Sequence, residues 1–296
     1  IKRVINKVLL SLEWDNNKNI YRRFKMKKII SIITLTFLSL FFVACDNKSE
    51  IKSEKKEEKQ VLKVGMELAY PPFEMSDKDG NPQGVSVDFA KKLGDYLGKE
   101  VVIENTAWSG LIPSLKTGKI DLIISSMTIT DERKKSIDFS IPYAQTALAI
   151  LANKESNVNS IDDLNVAGKK IAVKKGSTGH IYATENLKNA EILVFDKENA
   201  CVLEVVQGKA DGFLYDQLTI YKNYAQHKDT TVALLKPFQK DFEYWGVALR
   251  QNDPLKDQVN EFITKAKADG TFATFAQTHL KDAKATFDEL NIPFFF

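Results

Sequence analysis

Leu122-Ile123-Ile124-Ser125-Ser126-Met127-Thr128-Ile129-Thr130-Asp131-Glu132-Arg133 reads as a buried strand, a turn rich in small hydroxyls and the start of a helix. A short apolar run bounded by turn residues suits a sheet core, and a strand feeding a helix in this way belongs to an α/β unit. The same turn is equipped to hold a free carboxylate. Hydroxyls and backbone N–H groups at a strand end can donate hydrogen bonds, and a guanidinium one helical turn further on can add a bidentate, charge-assisted pair. Hydrogen bonds to charged groups contribute roughly 1.5–3 kcal/mol each. Ser125, Ser126, Thr128 and Arg133 are therefore candidate anion ligands. The plainer alternative is a surface arginine in an ordinary α/β unit.

This segment is one half of an internal echo. Leu115-Lys116-Thr117-Gly118-Lys119-Ile120-Asp121-Leu122-Ile123 recurs in outline as Val206-Gln207-Gly208-Lys209-Ala210-Asp211-Gly212-Phe213-Leu214. Each copy is a helix end, a glycine stop, a turn and a buried strand. Around the echo, short apolar runs at 62–64, 101–103, 147–151, 171–173, 192–194 and 246–249 alternate with helical patterns. Ala90, Leu93 and Leu97 share one helix face; Leu111, Ile112 and Leu115 share another, with Ser109 as its cap. Asp253-Pro254 opens a helix striped by Leu255, Val259, Phe262, Ile263 and Ala266. About 220 residues of such alternation suit two α/β lobes better than one core. Ligands of open α/β sheets bind at the carboxyl ends of strands. There the first copy offers hydroxyls and Arg133, the second Tyr215-Asp216. A ligand needing both a cationic and an anionic partner is an α-amino acid.

The N-terminal part follows other rules. Met26-Lys27-Lys28 is basic, residues 29–44 are uncharged and mostly apolar, and Cys45 precedes a polar run to Gln60. This predicts a signal peptide over 26–44, shorter than the ~20 residues of a spanning helix. Phe42-Val43-Ala44-Cys45 is similar to a bacterial lipobox, with Phe42 in place of the usual aliphatic residue, and marks Cys45 for lipidation. An uncleaved anchor is the alternative and also puts the rest outside the cytoplasm. Residues 45–60 are expected to be a flexible tether, and residues 1–25 an upstream, non-native extension. Residues 1–28 hold nine Lys or Arg and two Asp or Glu, so of the net +3 the remainder carries about −4. The alkaline balance is thus no argument for nucleic acid. With Cys45 lipidated, Cys201 has no disulfide partner and reads as a small buried hydrophobe.

Tyr70-Pro71-Pro72-Phe73-Glu74, Gly84-Val85-Ser86-Val87-Asp88-Phe89-Ala90, Trp108-Ser109-Gly110-Leu111-Ile112-Pro113-Ser114-Leu115, the stretch 125–133 and Asp138-Phe139-Ser140-Ile141-Pro142-Tyr143 follow one another in a familiar order. Over residues 61–280 the chain resembles the family-3 extracellular solute-binding proteins, the polar amino-acid receptors of ABC importers. The resemblance implies a type II periplasmic-binding-protein-like α/β fold, two lobes joined by two hinge strands and closing on a ligand between them. Lobe one would be 61–148 plus 248–280, lobe two 149–247, and 281–296 a C-terminal tail, with crossings near 147–152 and 244–249. It further implies that Arg133 and Thr128 clamp the α-carboxylate, with Ser177 and Thr178 of Gly176-Ser177-Thr178-Gly179 adding donors. Asp216 and the Ser126 carbonyl would accept from the α-ammonium, and Tyr70 and Trp108 would sandwich the side chain. Asp216 can equally cap the helix that follows, and both aromatics can be core. Glu67 matches an acidic position facing the ligand's distal group, which favours a cationic side chain. Lys174 matches a position used by some glutamine receptors, and the two opposed charges can also neutralise each other.

The implied protein is a monomer, lipid-anchored outside the cytoplasm, that takes a free L-amino acid to a membrane permease without cofactor, metal or nucleic acid. Two rivals differ in class. A few members of the fold are dehydratases of prephenate-like carboxylates, which need a general acid; Glu67, Asp216 or His180 are the candidates. A secondary adhesin role is the other, with Pro293-Phe294-Phe295-Phe296 as a contact or a ragged end.

Overall fold

Asp121 and Asp211, the matching aspartates of the echo, do the same work in two different sheets of the computed structural model, which describes residues 60–296. Asp121 Oδ2 accepts the N–H of Lys63 at 2.9 Å, and Asp211 Oδ2 that of Lys170 at 2.7 Å. Each tie sets the register of an incoming strand. Gly118 and Gly208 stand at φ 73° and 69°, the left-handed turn that ends a helix. The expected extension, signal peptide and Cys45 lie outside the described residues, as does the tether apart from Gln60.

The first sheet runs Glu100–Asn105, Val61–Met66, Leu122–Ile123, Ala248–Leu249, Asp138–Phe139. Its first three strands are parallel, and Ala248–Leu249 enters antiparallel from late in the chain. The second sheet runs Glu191–Phe195, Lys170–Lys174, Gly212–Asp216, Leu148–Asn153, Thr231–Leu234, again with three parallel strands and an antiparallel return. In the first sheet one strand therefore comes from beyond the second lobe, so the chain passes between the lobes twice; the second sheet is built from the continuous stretch 148–234, which its antiparallel strand Leu148–Asn153 begins. The join is a two-stranded antiparallel ribbon, Ala144–Thr146 with Glu243–Trp245. The crossing expected at 147–152 lies a few residues earlier, because 148–153 is taken up by the second sheet, where all six residues are buried.

Helix Val85–Leu97 buries Phe89, Ala90 and Leu93 against the first lobe and stops at Gly98, φ 65°. Helix Leu255–Ala268 buries Val259, Phe262, Ile263 and Ala266 on the stripe read from sequence. Ser109 does not cap its helix. Trp108–Lys116 begins one residue earlier, and Glu67 Oε1 accepts the Trp108 N–H at 3.4 Å, a carboxylate at a helix N-terminus. Cys201 is free and fully buried in the second lobe.

Residues 281–296 are not a loose tail. Lys281–Glu289 is a helix, and Phe287 and Phe295 are both buried with the first-lobe core. The Phe295 ring lies 4.9 Å from Phe73 and 5.5 Å from Trp245, beneath the crossing ribbon. Phe295→Ala is expected to cost about 3–5 kcal/mol, the usual range for a buried aromatic. Urea denaturation checks this; a loss under 1 kcal/mol would mean that the end of the chain is only draped on the surface.

Candidate ligand-binding site

The carboxyl ends of the parallel strands in both sheets open on one cleft. Of the residues singled out in the sequence, Glu67, Tyr70, Trp108, Ser125, Ser126, Thr128, Arg133, Ser177, Thr178 and Asp216 line it together. Lys174 stands behind this lining and touches it through Glu67.

Arg133 sits in the one-turn helix Asp131–Lys134, whose N-cap Thr130 accepts the Arg133 N–H at 3.2 Å. The cap turns the arginine inward, where it is 7 % exposed. One terminal nitrogen, Nη1, donates to Thr128 O at 2.6 Å, and Nη2 crosses the cleft to Gly176 O at 3.0 Å. Burial lowers the guanidinium to about 10, with Glu243 opposing that shift; it is therefore cationic at neutral pH.

Asp216 ends the strand Gly212–Asp216 and caps the helix Gln217–Gln226. The helix cap, one of the two alternatives raised by the sequence, uses one of its two oxygens. Oδ1 accepts the Thr219 N–H at 3.0 Å, while Oδ2 is buried with no hydrogen-bond partner among the described residues. Thr146 Oγ1 is another buried cleft atom in that condition. An unpaired buried carboxylate oxygen is costly, and burial pushes the Asp216 carboxyl up. Both features mark a position suited to an incoming donor.

The hydroxyls divide by task. Ser125 Oγ accepts the Glu67 N–H at 3.0 Å and donates to Glu74 at 3.2 Å. Ser126 and Ser86 also donate to Glu74, at 3.0 and 2.6 Å. Burial pushes Glu74 up to about 8, against the three serine hydroxyls that donate to it. Ser126 holds φ 48°, a conformation a non-glycine residue adopts only at a cost of about 1–3 kcal/mol. Ser177 caps the helix Thr178–Asn186 through the His180 N–H. His180 Nδ1 accepts from Gly176 N at 3.0 Å, within the same loop. Gly179 lets this loop approach the second sheet, since a Cβ there would stand 2.3 Å from Leu214 O.

Glu67 and Lys174 form an ion pair across the cleft, so the mutual neutralisation raised above is what their geometry delivers. Trp108 lies under two cations, with Arg133 Cζ and Lys174 Nζ each 5.3 Å from a ring centroid. Tyr70 stacks on Phe73 at 5.5 Å and meets Tyr215 and Trp245 edge-on, so it is both core and cleft wall. Tyr215, quoted beside Asp216 at the second strand end, also lines the cleft, as do Glu74, Thr146, Glu243 and Trp245, which were not singled out. Glu74 ends a quoted motif. Glu243 precedes the expected return crossing by one residue, and only the ribbon pairing could have placed it.

Two lobes, a ribbon joining them and a polar cleft of mixed charge define a hinged solute-binding protein. The comparisons agree. The chain matches the family described as bacterial extracellular solute-binding proteins, family 3, over residues 62–282, and belongs to it. It is 33% identical over 226 residues to the L-cystine-binding protein TcyJ of Escherichia coli, covering 75% of this chain and 84% of that protein. It is 30% identical over 257 residues to the L-arginine-binding protein of Pseudomonas aeruginosa, covering 83% and 94%. Among solved structures it is similar to the ancestral amino acid-binding protein AncCDT-1, a precursor of cyclohexadienyl dehydratase. That match has a TM-score of 0.67 at 37% identity and covers 74% of this chain and 95% of that one.

Proposed function

We propose that this chain is an extracytoplasmic receptor that captures a free polar L-amino acid, of basic or glutamine-like side chain, and hands it to an ABC permease. The observation that carries the reading is the pairing of opposite chemistries across one cleft. Arg133, Thr128 and Thr178 take the α-carboxylate; the unpaired Asp216 Oδ2 and the Ser126 carbonyl take the α-ammonium. The names of the relatives, which bind cystine and arginine, lend support. Lipidation at Cys45 would keep the receptor, a monomer in this reading, at the membrane. Closure is a population shift: the second lobe's donors and Asp216 gain ligand partners only when the lobes meet. Every ~1.4 kcal/mol by which the ligand's contacts favour the closed form shifts that equilibrium tenfold.

Selectivity rests on the Glu67–Lys174 pair. With Lys174 in place the pair is neutral and admits a polar, uncharged side chain. Lys174→Gln releases Glu67 and is expected to favour arginine or lysine over glutamine by roughly tenfold, about 1.4 kcal/mol. Calorimetry with the three ligands measures it, and an unaltered ratio would remove the pair from the selectivity argument.

A thermal-shift screen of the twenty amino acids, ornithine, cystine and prephenate tests the assignment as a whole. Stabilisation by at least one amino acid is the expected result; a shift with prephenate alone contradicts it. The dehydratase alternative draws on one observation, that burial pushes the cleft carboxyl of Glu243 up to about 7, the range of a general acid. Turnover of prephenate decides it.

A further inference from the structure

Thr128 follows a strand of the first sheet, and Thr178 opens a helix of the second lobe. Their hydroxyls converge on one atom. Glu243 Oε2 accepts from Thr128 Oγ1 at 3.2 Å and from Thr178 Oγ1 at 2.9 Å. Glu243 itself belongs to neither lobe: it begins the ribbon strand Glu243–Trp245, paired with Thr146. The Arg133 guanidinium acts on it through charge. A carboxylate oxygen with a hydroxyl from each lobe, beside a buried guanidinium, has the partner set assigned above to the ligand.

We propose that Glu243 is a built-in stand-in for the ligand's α-carboxylate, latching the lobes together through Thr128 and Thr178 until an amino acid displaces it. The inference rests on the receptor reading for the identity of the displacing ligand, but not for the latch. Three other polar contacts span the lobes independently, Arg133 Nη2 to Gly176 O, Lys222 Nζ to Pro71 O at 3.3 Å and the Glu67–Lys174 ion pair, so Glu243 adds to a closure already begun. Displacement is favourable for a chemical reason. Burial raises the Glu243 carboxyl to about 7; the same burial acts on a ligand's α-carboxyl, but from a reference near ~3.5 instead of ~4.3. In the same place the ligand is therefore the more fully anionic of the two and the better partner for Arg133. The latch also discriminates. A ligand without its own carboxylate cannot satisfy the donors that Glu243 leaves.

Two measurements on Glu243→Ala and Glu243→Gln test this. The first is small-angle scattering of the ligand-free protein. Glu243→Ala should have a larger radius of gyration than the unmodified chain and return to the compact value on saturation with its ligand. An unchanged radius overturns the latch, and this arm holds even if no amino acid binds. The second is calorimetric titration with L-arginine, L-lysine, L-histidine, L-glutamine and L-cystine, and with agmatine, which lacks the carboxylate. If Glu243 occupies the donors about nine-tenths of the time, removing it should tighten amino-acid binding about tenfold and leave agmatine without any gain. Glu243→Gln keeps an acceptor for the threonines but loses the charge, so about threefold is expected there; it also serves if the alanine variant fails to fold. Equal or weaker amino-acid binding by both variants overturns the proposal, since Glu243 would then be a ligand contact or a bystander. Failure of every amino acid to bind the unmodified chain instead sinks the receptor reading, with the scattering result still deciding the latch.

Discussion

Replacing Arg133 by alanine is expected to weaken binding of every amino acid by 100-fold or more while leaving the chain folded. Truncating one partner of a buried, hydrogen-bonded charge pair costs about 2–5 kcal/mol, roughly 30- to several-thousand-fold in affinity. Arg133 belongs at the upper end because it is 7 % exposed and remains cationic when lowered to about 10. The change also takes donors from Thr128 O and Gly176 O. Some loss of stability is therefore expected, of order 1–3 kcal/mol for carbonyls left buried and unpaired. Calorimetry and circular dichroism on the same sample separate the two effects. Retained affinity would defeat the carboxylate assignment, and a folded variant that binds nothing is what the geometry requires.

Asp216→Asn should have an effect of similar size with less structural damage. Asparagine is as good an N-cap as aspartate, so the bond from Thr219 N and the start of Gln217–Gln226 survive. The negative charge at the unpaired Oδ2 does not. Affinity is expected to fall by 100-fold or more, with the unfolding midpoint nearly unchanged. Asp216→Ala loses the cap as well and should cost a further ~1 kcal/mol of stability. If the asparagine variant binds like the parent, the aspartate serves the helix and nothing else.

Local chemistry made much of this legible beforehand. Asp121 and Asp211 repeat because the same strand entry is solved twice, and a motif within nine residues can be read from nine residues. The 125–133 stretch was readable for the same reason: hydroxyls, cap and guanidinium are neighbours in sequence and in space. What escaped was long-range. Lys174 reaches Glu67 across 107 positions, so sequence could name both charges but not that they spend themselves on each other. Phe295 looked like the end of a chain because its partners, Phe73 and Trp245, are distant in sequence. Glu243 lies in a three-residue strand too short to show a period. Its importance comes entirely from Thr128 and Thr178, which the fold brings to it. The Ser109 cap failed in another way: a serine near a helix start is a sound signal, but the Glu67 carboxylate, from the loop after Val61–Met66, already served that end.

In the receptor reading one ligand must carry both charges to hold the two lobes closed on it. The most direct test is a calorimetric titration of the best amino acid from the screen alongside its carboxylate-free amine and its amine-free acid. Binding by the amino acid alone, with both analogues weaker by 100-fold or more, is the predicted result. An amine-free acid that binds as tightly as the amino acid would contradict the account, because Asp216 would then have no part in recognition.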